Sequence, residues 1–432
     1  MLSWTVLAVF LLVYGYLCFA AEHRVKVLWG GIALLVAARY LFPNAHPQGA
    51  FTLQAIFREG ISWNVLGVLA GAMMIADLFM RSGVPVLLAD KIAERCRTTR
   101  MALVAVCVFS GLISAFVDNV TTVLLVAPVA LAIAARTGVS PVPVLIGIAV
   151  SANLQGAATL IGDPPSMLLA AEFKLGFNDF FFCRGKPFIF FAIQLGAVAS
   201  AFVLFYVFRR HREPMPHMEA EPPKTWVPVF FIATMIIFLA TSSSFDPGFV
   251  WLAGTGNVIL GALAFAWGCW REPSVAKEIL RRYDVPTVAF LAGIFVMAYA
   301  MNCFGWVEAI ARGIARIVGC NQFAAYTLIV WISVLVSAFV DNIAYVALML
   351  PVAKSLETTV GGDPLLYAAG LLVGACLGGN ITPIGASCNV VAVGALRRQG
   401  HRVTFWQFAR IGLPFTIAAT LAGYLFIWLF WG

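Results

Sequence analysis

Charge is what this chain has least of: 11% of its residues are charged and 62% are hydrophobic, against about 25% and 45–50% in an ordinary soluble domain. It also lacks any polar block long enough to fold as a soluble domain, which excludes a membrane anchor carrying a separate soluble unit. The nine cysteines contain no CxxC pair and no metal-ligand spacing, which argues against a disulfide framework. Several of them, Cys18, Cys107, Cys269 and Cys376, sit in apolar runs, where a free thiol behaves as a small hydrophobe. Residues 1–20 lack a basic start, and their charges follow in "AEHRVK", so they predict a first span entering with its N-terminus outside, not a cleaved signal peptide.

What is present is apolar length. Stretches able to cross a hydrocarbon core of about 30 Å recur along the chain, near 2–20, 27–43, 62–80, 188–208, 226–241, 249–270, 286–303 and 411–431. Four regions are less regular. Residues 101–135 and 322–358 each hold two apolar arms that meet at an Asp-Asn pair, and predict helical hairpins of re-entrant type. Residues 143–171 and 366–396 are interrupted by Gly, Pro and polar residues, and predict single crossings made of broken helices. Non-helical backbone at membrane depth is tolerated only where it is packed in protein or lines a wet cavity, so these interruptions mark the candidate site.

The net charge of +8 has a local explanation. Inside loops at 21–26, 81–100, around Arg136, 209–225, 271–285 and 397–410 hold 20 of the 28 Lys and Arg, as the positive-inside rule expects. Nucleic acid is therefore not a predicted partner. The lipid bilayer is, for an integral multi-pass protein of the cell membrane.

"SAFVDN" occurs twice, at Ser114–Asn119 and Ser337–Asn342. Aligning 114–130 with 337–353 at an offset of 223 gives 11 identities in 17 positions. The same offset carries Thr159 and Gly162 onto Thr382 and Gly385, and 188–208 onto 411–431. An odd number of crossings between the halves inverts the second relative to the first, an architecture of many secondary transporters. The predicted fold is an all-α polytopic membrane protein with two inverted repeats, about 11 crossings, two hairpins and two broken helices. Residues 1–26 form a first helix and loop, 27–208 the first repeat, 209–248 a cytoplasmic linker with a connecting helix, and 249–432 the second repeat.

Asp118 and Asp341 lie far from any predicted interface, where an ionised carboxylate costs at least about 2.5–3.5 kcal/mol. A cation or proton partner explains that cost; an N-cap closing the turn is the alternative role. Asn119 and Asn342 offer both a carbonyl acceptor and an amide donor. Around the first break stand Thr159, Gly162, Asp163 and Ser166, and around the second Asn380, Thr382, Gly385, Ser387 and Asn389. The halves differ in that Thr121 and Thr122 face Ala344 and Tyr345, and Asp163 faces Ala386. Hard oxygen ligands therefore favour the first half for an alkali cation or proton, with Na+ a candidate at Asp118, Asn119 and Thr159. Asp77 is expected in an interfacial or helix-packing role. Residues 85–97 and 306–318 predict amphipathic helices on the membrane surface.

The paired "SAFVDN" tips, "IGDPP" and "GGNITPIGASCNVV" resemble the ArsB/NhaD branch of the ion transporter superfamily, which includes arsenite permeases, NhaD-type Na+/H+ antiporters and P protein. The resemblance covers both halves and implies the inverted-repeat fold, a homodimer and an elevator-like motion. Related dicarboxylate carriers have Ser-Asn-Thr at the tips, whereas Asp118-Asn119-Val120 and Asp341-Asn342-Ile343 stand here, which argues for a small inorganic ion and against a di- or tricarboxylate. The expected function is an ion-coupled secondary transporter of a small inorganic ion or oxyacid, of arsenite or anion permease type, with no enzymatic activity. It needs no cofactor beyond Na+ or H+ as coupling ion, and no residue pattern bears on an ATPase partner. Na+/H+ antiport by the same fold is the alternative. An intramembrane aspartyl protease is remote, because its Gly-x-Gly-Asp signature would need Gly where Leu160 stands.

Overall fold

The computed structural model describes residues 2–19, 23–41, 51–214, 222–246, 248–271, 278–279, 281 and 283–432. The middle of the expected linker, 215–221, and the inner-loop residues 272–277 lie outside the described residues. In the first part of the chain run α1 (Leu2–Phe19), α2 (Arg24–Leu41), α3 (Trp63–Arg81), α4 (Val84–Glu94), α5 (Thr99–Ser114), α6 (Asn119–Thr137), α7 (Pro141–Gly156), α8 (Pro164–Phe173) and α9 (Ile189–Val207). Two connecting spans follow, α10 (Val227–Phe245) and α11 (Leu252–Arg271). Then come α12 (Val285–Cys303), α13 (Trp306–Val318), α14 (Gln322–Ser337), α15 (Asn342–Thr359), α16 (Pro364–Gly378), α17 (Ser387–Arg398) and α18 (Phe405–Trp431). Among the described residues the one sheet is a hairpin of two-residue strands, β1 (Phe182–Cys183) and β2 (Lys186–Pro187).

This is an all-α multi-pass membrane protein. Among the described residues eight helices are long and apolar enough to cross a bilayer. Several helix starts are written in the sequence: Thr98, Asn321 and Asp363 cap α5, α14 and α16 through their side chains, and Thr404 with Gln407 forms a capping box on α18. Pro128 and Pro351 stand inside α6 and α15, the second arms of the two hairpins.

The helices pack as two bundles. α1, α2, α3, α10, α11 and α12 make a scaffold, while α5–α9 and α14–α18 make a core that holds both hairpins and both broken helices. Scaffold and core meet where α3 touches α8 and α12 touches α15. In the core, α7 and α16 are enclosed almost completely; every residue from Val144 to Gly156 is buried.

Small residues let the scaffold helices approach closely, as is common between membrane helices. Gly67 and Gly71 of α3 lie against the backbones of Gly254 and Asn257 of α11. Asn64 fastens the same crossing: its amide donates to the Phe249 carbonyl at 2.8 Å and its oxygen accepts the Gly254 N–H at 2.6 Å. A Cβ on Gly71 would run into the Asn257 carbonyl, so Gly71→Val is expected to destabilise the scaffold by about 1–3 kcal/mol. A melting curve of the detergent-solubilised protein checks this, and an unchanged midpoint would refute it.

Both expected amphipathic helices form, and each leans on a hairpin. α13 matches residues 306–318, with Arg312 and Arg316 exposed and Val307 and Ala311 buried. α4 is the more deeply seated of the two: Val84, Leu87, Ala89 and Ala93 are buried, and the helix lies against α5 and α6 as α13 lies against α15. Its apolar stripe meets protein because the first hairpin is the neighbour within reach.

Candidate functional site

Each hairpin tip is a turn closed by its aspartate. Asp118 accepts the N–H of Thr121 at 3.0 Å, and Asp341 accepts the N–H of Ile343 at 2.9 Å, so both are N-caps of a second arm. Each cap uses one carboxylate oxygen, Oδ2 of Asp118 and Oδ1 of Asp341.

Broken helices hold the tips from behind. The Thr159 hydroxyl donates to the Ala115 carbonyl, and the Thr382 hydroxyl donates to the Ala338 carbonyl; donor and acceptor are both displaced by 223 residues between the halves. Backbone packs on backbone at each break, Gly162 against Gly156 and Gly385 against Gly379. Removing one of the threonine hydroxyls strands a buried tip carbonyl, at a cost of about 1–3 kcal/mol. Thr159→Val and Thr382→Val are therefore expected to lower stability by similar amounts, checked by their melting midpoints in one detergent.

A cavity of about 290 Å³ opens between core and scaffold. It is lined by Asp118, Asn119 and Thr121 of the first tip, Asp163 of the first break, Asn342 of the second tip, and Ser387 at the start of α17. Those six candidates are brought together. Thr122, Thr159, Gly162, Asp341, Asn380, Thr382, Gly385 and Asn389 do not line the cavity, and several of them tie the core together. Thr122 turns back to the Val117 carbonyl at 3.5 Å, and the Asn389 amide donates to the Gly379 and Thr382 carbonyls at 2.9 Å each. Opposite Thr122 in the repeat, the Tyr345 hydroxyl lies 3.1 Å from Ser333 and fills the second hairpin.

The scaffold contributes charges that the sequence does not flag as site residues. Arg24, Asp77 and Asp284 line the same cavity. Arg24 donates to Thr287 at 3.4 Å and lies over the Phe290 ring, while Asp77 is also paired with Arg81 at 2.7 Å. Two further residues open the duplicated SAFVDN motif and are not among the predicted site residues: the hydroxyls of Ser114 and Ser337 are buried with no hydrogen-bond partner among the described residues. Among the described residues no three His, Cys, Asp or Glu side chains converge as a metal cluster. A hard cation here would therefore take carbonyl, amide and hydroxyl oxygens beside a carboxylate.

A second cavity, of about 400 Å³, lies at the other end of α3 and α12, lined by Asn64 and Asn302 with Arg58, Glu59, Glu172 and Lys174. The first cavity meets Asp77 near the C-terminal end of α3 and Thr287 near the start of α12. The two cavities thus approach one core–scaffold boundary from opposite faces of the membrane.

This arrangement has relatives. An uncharacterized transporter of Mycobacterium tuberculosis is 32% identical, with 98% of each chain covered. The human P protein is 26% identical over 96% of this chain and 58% of its own length. The Alcanivorax borkumensis YdaH transporter has the same fold at a TM-score of 0.64 and 13% identity, covering 94% of this chain and 98% of its own. The family model described as CitMHS, Citrate transporter, matches residues 14–374, and the chain belongs to that family.

Proposed function

We propose that this transporter is an ion-coupled secondary carrier of a small inorganic ion, working by alternating access, with Na+ or H+ taken at the first-half tip. The observation that carries the proposal is the charge of the 290 Å³ cavity: Asp77, Asp118, Asp163 and Asp284 line it, with Arg24 as its one basic lining residue among the described residues. A carboxylate at membrane depth is a functional feature by default, and its natural partner is a cation. The cavity beyond the opposite ends of α3 and α12 supports a second access state. A second copy of the chain as partner belongs to the same proposal.

Within this class the carboxylate excess favours cation exchange, the Na+/H+ antiport reading, over permeation of an oxyacid such as arsenite. The family description favours a tricarboxylate, and Arg24 would suit one. The Asp-Asn tips weigh against it. Purified protein in liposomes separates these readings: radioactive Na+ uptake driven by an imposed pH gradient is expected. Arsenite or citrate uptake without Na+ or proton movement would overturn the cation reading.

A further inference from the structure

Asn153 lies in α7 where that helix crosses α16, and it is fully buried. Its amide nitrogen donates to the Cys376 carbonyl at 2.7 Å and to Asn380 Oδ1 at 3.0 Å, and its oxygen accepts from Asn119 Nδ2 at 3.1 Å. Cys376 is the residue 223 positions on, so Asn153 reaches across to its own counterpart in the other half.

The direction of every bond in this chain is forced. A backbone carbonyl only accepts. Asn380 gives its nitrogen to the Val150 carbonyl at 3.2 Å, which turns its oxygen to Asn153. Asn153 must give its nitrogen to the Cys376 carbonyl, so only its oxygen remains for Asn119. Asn119 must answer with its nitrogen, and its carbonyl oxygen is what it can offer to the cavity it lines. In the second half the position of Asn153 is Cys376, which has no amide, and Asn342 turns its nitrogen to Asp163 at 3.4 Å instead.

We infer that Asn153 is a positioning residue that fixes the polarity of the Asn119 amide, so that the first tip presents an oxygen to a cation and not an N–H to an anion. The inference rests on the cation reading of the cavity given above. An asparagine is amphoteric, and which ion it serves is decided by what stands behind it. Two backbone carbonyls, Val150 and Cys376, set the polarity, and the side chains of Asn380 and Asn153 relay it to Asn119.

The test is a Na+ titration of the full-length protein in detergent, with choline holding ionic strength constant and thermal stabilisation as readout. Asn153→Ala is expected to raise the Na+ midpoint about tenfold. Asn153→Asp, protonated and donating to Cys376, still accepts from Asn119 and is expected to stay within about threefold of wild type. In an Asn119→Ala background, which has no polar group to orient, Asn153→Ala is expected to leave the midpoint unchanged. An equal shift in both backgrounds, no shift in either, or equal shifts for the Ala and Asp variants would overturn the inference while the cation reading stands. A wild type that responds to neither Na+ nor Li+ overturns the Na+/H+ exchange reading itself, and the inference with it.

Discussion

Asp163→Asn is expected to cut cation-coupled flux by about 10–100-fold, the worth of one charge-assisted hydrogen bond in a buried site. Asp163 is 3% exposed, yet it borders the cavity between the two tips, and the Asn342 amide approaches it only to a long 3.4 Å. A buried carboxylate with so weak a protein partner is suited to a cation or a proton, the role proposed for it above. Asparagine keeps its shape and its hydrogen-bonding capacity, so the variant removes charge and little else. The repeat counterpart, Ala386, also lines the cavity. Ala386→Asp in the Asp163→Asn background therefore asks whether the carboxylate must come from the first half. Uptake in liposomes is the measurement; flux within about threefold of wild type in Asp163→Asn would remove Asp163 from the site, since a charge-assisted hydrogen bond is worth more than that.

Much of this was legible in the sequence, because the features that specify it are local. The hairpins turn at the duplicated Asp-Asn pairs, the breaks fall at Gly, Thr and Pro, and α13 occupies the residues its apolar spacing marks. What could not be read is which side of a helix meets which neighbour. α7 and α16 are buried all round, so no alternation of exposed and covered sides distinguishes the face that carries Asn153. Its partners Cys376 and Asn380 lie 223 and 227 residues away. Arg24 and Asp284 come to the cavity on scaffold helices whose approach to the core depends on packing across the whole chain. The same distance hides the seating of α4, whose amphipathic pattern suits a membrane surface or a protein groove equally well. Thr159 and Thr382, placed among ion ligands by type and position, instead clamp the tips, because a hydroxyl beside a broken helix finds the nearest freed carbonyl first.

Alanine at Gly162 or Gly385 is expected to damage the two breaks by adding a single atom. A Cβ on Gly162 would stand 2.8 Å from the Ser114 carbonyl and closer still to that of Gly156; on Gly385 it would stand 2.9 Å from the Ala338 carbonyl and 2.6 Å from that of Gly379. All four neighbours are backbone, so no rotamer change relieves the clash, and the cost reaches or exceeds the about 1–3 kcal/mol of ordinary overpacking. Both variants should melt earlier than wild type, while Gly313→Ala and Gly394→Ala, with nothing within 4 Å of the added atom, should not. The two breaks then diverge in function. Displacing the first moves Asp163, which follows Gly162 directly, whereas displacing the second moves Ala386, which has no charge to misplace. Gly162→Ala should therefore weaken Na+ binding in the fraction that remains folded, and Gly385→Ala should reduce stability with its Na+ midpoint kept. Equal midpoints for the two would mean that the first break only packs the core, and that the ion is held elsewhere.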